Sequence, residues 1–243
     1  MSARRRGVLL LLLVAAIAAP VIAVVILRHE PAPLPPRPVA QRPTLLLLTS
    51  LPLIFNESFS LQGGGSAALE RLQSRYHVVP ISVTSPGELA KGKLLLMAQP
   101  LAQTAENLVA FDDWVRRGGR VMLLADPMLE WPSERPLGDP LRPPPMFADT
   151  GLLGHWGLRL DAPDPLGRER RKLAGFDILT VSPGRLSGGC RIGADRLVGN
   201  CRIGKGEAIV VADADFIDNQ ELGRGAAHNL DGLVAELAKL EAK

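Results

Sequence analysis

Four short apolar runs recur through this chain: residues 44–50 (TLLLLTS), 93–98 (KLLLMA), 120–125 (RVMLLA) and 207–212 (EAIVVA). None shows the polar alternation of a strand with one wet face, so each reads as a strand buried on both sides. Helical patterns lie between them. Ser66 is placed to cap a helix over residues 67–76, with Leu69 and Leu72 on one side. A second helix is predicted over 104–117, where Leu108, Phe111 and Val115 form a stripe. Asp112–Arg116 and Asp113–Arg117 pair at i,i+4 in that helix, and Gly118-Gly119 closes it. A further strand is expected over 77–82. Strands alternating with helices predict an α/β chain with a mostly parallel sheet and helices on both faces.

The later chain changes character. Residues 128–145 carry six prolines and no periodicity, which predicts a loop, and a helix is expected over 148–155. Short strands at 176–181, 186–192, 196–203 and 207–212, separated by glycine-rich turns, predict a β-meander, and a helix over 230–240 closes the chain. The longest internal repeat is the tetrapeptide Cys-Arg-Ile-Gly, too short to mark a duplication.

The first residues read differently. Residues 7–27 are uncharged and apolar and follow Arg4, Arg5 and Arg6. About twenty such residues in a helix span a hydrocarbon core of roughly 30 Å, and a basic cluster on the N-terminal side keeps that end inside. The expectation is a basic tail at 1–6, a single transmembrane anchor at 7–27, a proline-rich extended linker at 28–43 and an α/β domain at 44–243 on the outer side of the inner membrane. The alternative is a cleaved signal peptide, since Val21-Ile22-Ala23 is a tolerable cleavage site. The membrane is thus one expected partner, through the anchor.

Charge narrows the function classes. The net charge is +3, which Arg4 to Arg6 alone supply, so the rest of the chain is near neutral. Aromatic residues are 4% of the chain, and no basic face with an aromatic platform is visible. Nucleic-acid binding is not expected.

Cys190 and Cys201 are the only two cysteines. A hairpin centred on Asp195-Arg196 would set them opposite each other and allow a disulfide, the alternative being two free thiols. Neither precedes a helix as a nucleophilic cysteine on a strand-to-helix elbow would, and their spacing to the histidines is not that of a metal site. No cofactor or metal is expected.

Two stretches carry a resemblance. Residues 105–127 (AENLVAFDDWVRRGGRVMLLADP) join a helix, a Gly-Gly turn and a strand ending in Asp-Pro, and residues 204–216 (GKGEAIVVADADF) join a glycine turn, an apolar strand and Asp-x-Asp-Phe. Together with Asn229 before an apolar helix, they resemble the GldG-like auxiliary domains of ABC-type transport systems. The resemblance implies a flavodoxin-like, class I glutamine-amidotransferase-like sheet, related to the GIFT domains of intraflagellar transport. It also implies a non-catalytic role beside an ABC transporter or another envelope protein.

Open parallel sheets bind ligands beyond the carboxyl ends of their strands. Those ends offer Thr49, Ser50, Gln99, Asp126, Asp213 and Asp215, with Asn56, Glu57, Glu130 and Trp131 on adjoining loops. Asp213-Ala214-Asp215 superficially resembles the nucleophile motif of haloacid-dehalogenase phosphatases, but too little chain follows to supply that family's other residues; the plainer reading is that these acids cap the next turn. Gly63-Gly64-Gly65-Ser66 lacks the lysine of a phosphate-binding loop and reads as a flexible connection. The expected function is therefore a non-enzymatic partner- or ligand-binding domain. A hydrolase using strand-end carboxylates is the alternative, and a structural spacer a third.

Overall fold

Each of the four apolar runs becomes a strand of one sheet. The computed structural model describes residues 31–54 and 65–242. Within them β1 (Thr44–Thr49), β3 (Leu94–Ala98), β4 (Arg120–Leu124) and β11 (Gly206–Val211) form the sheet centre. β2 (His77–Pro80) lies at one edge, and β10 (Val198–Ile203) and β9 (Arg191–Ile192) complete the other. The order is β2-β1-β3-β4-β11-β10-β9. The first five strands are parallel, and the last two are added antiparallel. The fold is thus mixed α/β with a mostly parallel central sheet. Leu45, Leu46 and Leu47 of β1 are all fully buried, as are Leu123 and Leu124 of β4, which requires cover on both faces.

The helices supply that cover. They are α1 (Ala67–Gln73), α2 (Pro86–Leu89), α3 (Ala105–Arg116), α4 (Leu152–His155), α5 (Asn219–Leu222) and α6 (Asn229–Glu241). The connection from β1 to β2 runs toward one sheet edge, whereas those from β2 to β3 and β3 to β4 run toward the other. Right-handed crossovers therefore put α1 on one face and α2 and α3 on the opposite one. α1 packs on α6, held by Arg71 and Asp231 at 2.9 Å. α2 packs on α3, where the Thr84 hydroxyl donates to the Asn107 carbonyl at 2.9 Å. Ser66 caps α1 as expected, its hydroxyl oxygen accepting from the Leu69 N–H at 3.2 Å.

The meander expectation is corrected in part. β7 (Phe176–Val181) pairs back onto β6 (Arg168–Leu173), and β8 (Arg185–Gly188) pairs with β5 (Leu158–Asp161), each as a separate two-stranded ribbon. Three consecutive strands, β9, β10 and β11, do run as antiparallel neighbours in the main sheet. The local reason lies at Ala174-Gly175, where both residues have positive φ, 56° and 97°. That is the twist of a two-residue hairpin turn, and it sets Leu173 opposite Phe176. The strand predicted over 186–192 is split into β8 and β9 at Gly188-Gly189, and the helix predicted over 148–155 is confined to α4.

The glycine turns of the two family-like stretches meet in space. Lys205 N–H donates to the Arg116 carbonyl at 2.9 Å and Glu207 N–H to the Gly119 carbonyl at 3.3 Å. A Cβ on Gly206 would lie 2.1 Å from the Val115 carbonyl oxygen and 2.2 Å from that of Gly119. Only a glycine lets β11 start this close to the end of α3. From the next residue, β4 and β11 run side by side over five pairs, from Arg120 opposite Glu207 to Leu124 opposite Val211.

Residues 7–27 lie outside the described residues. Among the described residues no helix is long and apolar enough to cross a membrane, so the expected single-pass location in the inner membrane is corrected and set aside. Residues 33–43, the end of the proline-rich stretch, lie against the domain. Arg71 donates to the Leu34 carbonyl at 2.9 Å, Arg37 pairs with Glu241 at 3.0 Å, and His77 N–H donates to the Pro43 carbonyl at 2.9 Å.

Two substitutions test this account. Gly206→Ala is expected to lower unfolding free energy by about 3 kcal/mol, because rigid backbone oxygens cannot yield to the new methyl. Ala174→Asn is expected to raise it by about 0.5–1 kcal/mol, since asparagine tolerates the left-handed conformation the turn demands. Urea denaturation of both variants beside the unchanged protein checks both signs.

Candidate functional site

The carboxyl ends of β4 and β11 place three aspartates within one buried cluster. Asp126 and Asp213 are fully buried and Asp215 is 4% exposed. Asp126 follows β4 and binds in two directions. Its Oδ1 accepts from Met128 N–H at 2.8 Å, and its Oδ2 accepts from Ala214 N–H at 2.8 Å. Asp213, two residues past β11, accepts from Phe216 N–H at 2.8 Å and from Val181 N–H at 3.0 Å. Asp215 accepts from Glu130 N–H at 2.8 Å, and the Glu130 carboxylate in turn accepts from the Ser182 hydroxyl at 2.5 Å. Three segments, 126–130, 181–182 and 213–216, are thereby tied to one another. The expectation that Asp213 caps the following turn is met at Phe216, in the 3₁₀ turn Asp215–Ile217.

Among the described residues Asp126, Asp213 and Asp215 form no ion pair, and their hydrogen-bond donors are backbone N–H groups. Burial therefore dominates their protonation. Asp126 is pushed up to about 6, chiefly by desolvation, with the Glu130 charge adding to it and backbone N–H donors opposing it. Asp215 is pushed up to about 8 by desolvation and then by the Asp126 charge. Asp213 rises well above the usual carboxylate range for the same reasons, burial first and its two aspartate neighbours next.

The remaining rim residues do structural work or line small clefts. Gln99 is buried with φ 44°. Its side chain accepts from Asp126 N–H at 3.0 Å and donates to the carbonyls of Asp126 at 3.3 Å and Pro144 at 3.2 Å. Ser50 donates to the Gln99 carbonyl, and Thr49 accepts from Leu51 N–H at 2.9 Å. Thr49, Ser50, Gln99, Asp126 and Asp213 thus lie at the strand ends, as expected from topology. Trp131 lines a cleft of about 100 Å³ with Ser66, Asp218 and Asn219. Asn56 and Glu57 lie outside the described residues. A second cleft, of about 130 Å³, is lined by Glu130, Asp215, Asp218 and Glu221 with Arg168 among them. Among the described residues no group of three or more His, Cys, Asp or Glu side chains is arranged to hold a metal ion.

Four residues escaped sequence reasoning in whole or in part. Ser182 joins Glu130 to Gly167, whose N–H it accepts at 2.9 Å, and it does so at φ 43°. Asp218 and Glu221 reach the acidic cleft through α5, a four-residue helix too short to leave a periodic pattern. Asn229, noted only as the start of the last helix, is fully buried and fixes two elements at once. It bonds to both the N–H and the carbonyl of Leu179 at 2.8 Å, and to the Phe216 carbonyl at 2.6 Å. Far from this rim, Cys190 and Cys201 form a disulfide across Cα atoms 4.8 Å apart. The register of β9 and β10, Gly199 opposite Ile192, is that of the hairpin expected around Asp195-Arg196.

Comparison with known proteins stops at the level of fold. No family model matches the chain, and no curated protein matches it. Among solved structures, a cytoplasmic protein from Salmonella typhimurium LT2 is similar over 81% of this chain and 99% of its own, with TM-score 0.50 and 11% identity. An exo-β-1,4-mannosidase from Opitutaceae bacterium strain TAV5 is similar over 82% of this chain, with TM-score 0.49 and 12% identity, and the chain spans 36% of that enzyme's length. A ThuA-like protein from Bacteroides uniformis is similar over 83% of this chain and 93% of its own, with TM-score 0.44 and 11% identity. The Salmonella likeness is one of α/β fold.

The aspartate cluster gives a pH prediction. Folded-state values of about 6 for Asp126 and about 8 for Asp215 lie above those of an unfolded chain, near 3.9. Such groups add stability that is complete below about pH 4 and is lost as pH rises through 6 and then 8. The urea midpoint is expected to be higher at pH 5 than at pH 8.5, and Asp215→Asn is expected to narrow that gap. A gap left unchanged in the variant would show that Asp215 is not responsible.

Proposed function

We propose that this chain is a non-catalytic partner-binding domain of the GldG-like auxiliary kind, built on a flavodoxin-like sheet and acting beside an ABC-type transporter. The strand order β2-β1-β3-β4-β11 supports the flavodoxin-like assignment, since it follows the pattern 2-1-3-4-5 of that doubly wound class. The observation that carries the functional reading is the use to which the family-like motifs are put. Asp126 of the Asp-Pro end, Asp213 and Asp215 of the Asp-x-Asp-Phe end, and Asn229 all spend their side chains on backbone groups of neighbouring loops. Residues so engaged fix a loop surface instead of facing a substrate. Loops held rigidly at the carboxyl ends of a sheet are where such folds present their recognition surfaces.

A hydrolase is the second reading, and one observation favours it: Glu130, Asp215, Asp218 and Glu221 share a cleft, with two of these carboxyls raised. That cleft holds about 130 Å³, against roughly 300–1,000 Å³ for small-molecule sites.

In-cell crosslinking of the intact chain, followed by identification of the linked proteins, separates the two. Recovery of ABC-type transporter subunits, with no turnover of ester, phosphate or glycoside substrates by the purified protein, is the expected result. Turnover that disappears in Asp126→Asn or Asp215→Asn would replace the binding reading with the hydrolase.

A further inference from the structure

A groove lies at the disulfide edge of the sheet, lined by residues other than those of the aspartate rim. It encloses about 730 Å³ and is lined by Trp156, Cys190, Arg191, Asn200, Arg202 and Glu207. Arg191 and Arg202 are exposed, and among the described residues neither guanidinium makes a hydrogen bond or ion pair. Glu207, on the inner wall opposite Arg202, is half-buried and already partnered. The groove therefore carries two exposed guanidinium groups against a single half-buried acid.

Their spacing is fixed by the ladder. Arg191 lies directly opposite Asn200, and Arg202 is two residues further along β10. Positions related in this way share one face of a sheet and stand about 7–8 Å apart. Alternate side chains of an extended polypeptide repeat at nearly the same distance, about 6.6–6.8 Å. An extended segment with acids at i and i+2 can thus place one carboxylate on each guanidinium, in the two-pronged contact that arginine favours. The Cys190–Cys201 disulfide holds the end of the edge strand against β10 immediately beside Arg191, which keeps this spacing from drifting. An edge strand of only two residues leaves the groove open along its length.

We infer that this groove docks an extended acidic segment of a partner protein, one with acidic residues at alternate positions, through Arg191 and Arg202. The inference rests on the partner-binding reading and names the chemistry of the partner. It concerns a different face from the aspartate rim.

Fluorescence anisotropy with a labelled twelve-residue peptide of alternating glutamate and serine tests it. A peptide of the same composition with all glutamates in one block, and a lysine–serine repeat, serve as controls. The alternating peptide is expected to bind best, and its binding to fall with added salt. The double change Arg191→Glu with Arg202→Glu is expected to weaken binding by about tenfold or more, the loss of two charge-assisted contacts. Arg191→Gln with Arg202→Gln should weaken it less, and Arg170→Glu, an exposed arginine on β6, should leave it unchanged. Urea midpoints equal to that of the unchanged protein confirm that the variants fold. Equal binding of the block peptide, displacement by inorganic phosphate at matched ionic strength, or indifference to the double reversal would each overturn the inference. If transporter crosslinks persist in the double reversal while the peptide does not bind, the groove fails and the partner-binding reading stands. If the peptide binds through both arginines but the protein proves to be a hydrolase, the reverse holds.

Discussion

β4 and β11 are neighbours in the sheet but are separated in the chain by everything from residue 125 to residue 205. Their parallel pairing has to be secured at both ends, because closing so long a connection costs conformational entropy that ladder hydrogen bonds alone repay slowly. At the amino ends the glycine turn before β11 nests against the end of α3, with Gly206 under the Val115 and Gly119 carbonyls. At the carboxyl ends Asp126 reaches across to Ala214 N–H. The antiparallel strands β10 and β9 are added onto β11, so the disulfide edge and its groove depend on the same pairing.

The carboxyl-end contacts carry an electrostatic cost. Three aspartates are gathered where water is excluded, and their donors are backbone N–H groups instead of basic side chains. A carboxylate buried in this way satisfies several loop N–H groups at once, which a hydroxyl or amide of the same reach does less well. Burial disfavours their charged forms, and repulsion from neighbouring carboxylates adds to it, which is why Asp215 and Asp126 are pushed up. Raised carboxyl groups are often read as signs of catalysis. Here the same shifts follow from loop anchoring, and the hydrogen-bond partners distinguish the two meanings.

The long insertion between β4 and β11 does more than connect them. Its β6–β7 ribbon supplies Val181 N–H to Asp213, and the next residue, Ser182, reaches Glu130, so the rim is completed by chain that forms no part of the main sheet. Its last segment returns as β9 and β10, which brings Arg191 beside Asn200 and forms the basic groove. One insertion therefore shapes two surfaces, an acidic rim at the strand ends and a basic groove at the sheet edge.

The parallel core was legible because its information is local. Leu45 to Leu48 and Val121 to Leu124 are apolar on both sides of the strand, Ser66 and Thr104 cap the helices that follow, and Gly118-Gly119 stops α3. The hairpin register linking Cys190 to Cys201 could also be counted from the turn between them. The split of the expected meander could not, because β7 chooses β6 through a turn that puts Ala174, a residue with no preference for positive φ, in the left-handed region. Nor could the roles of Ser182 and Asn229, each of which acts on a segment distant in the chain. The sequence by itself determined which segments are buried strands and capped helices, since periodicity and capping act over a few residues. Only the tertiary structure decided what the acidic residues do, because an aspartate at a strand end becomes a catalyst, a ligand or a loop anchor according to which N–H groups the distant chain brings to it.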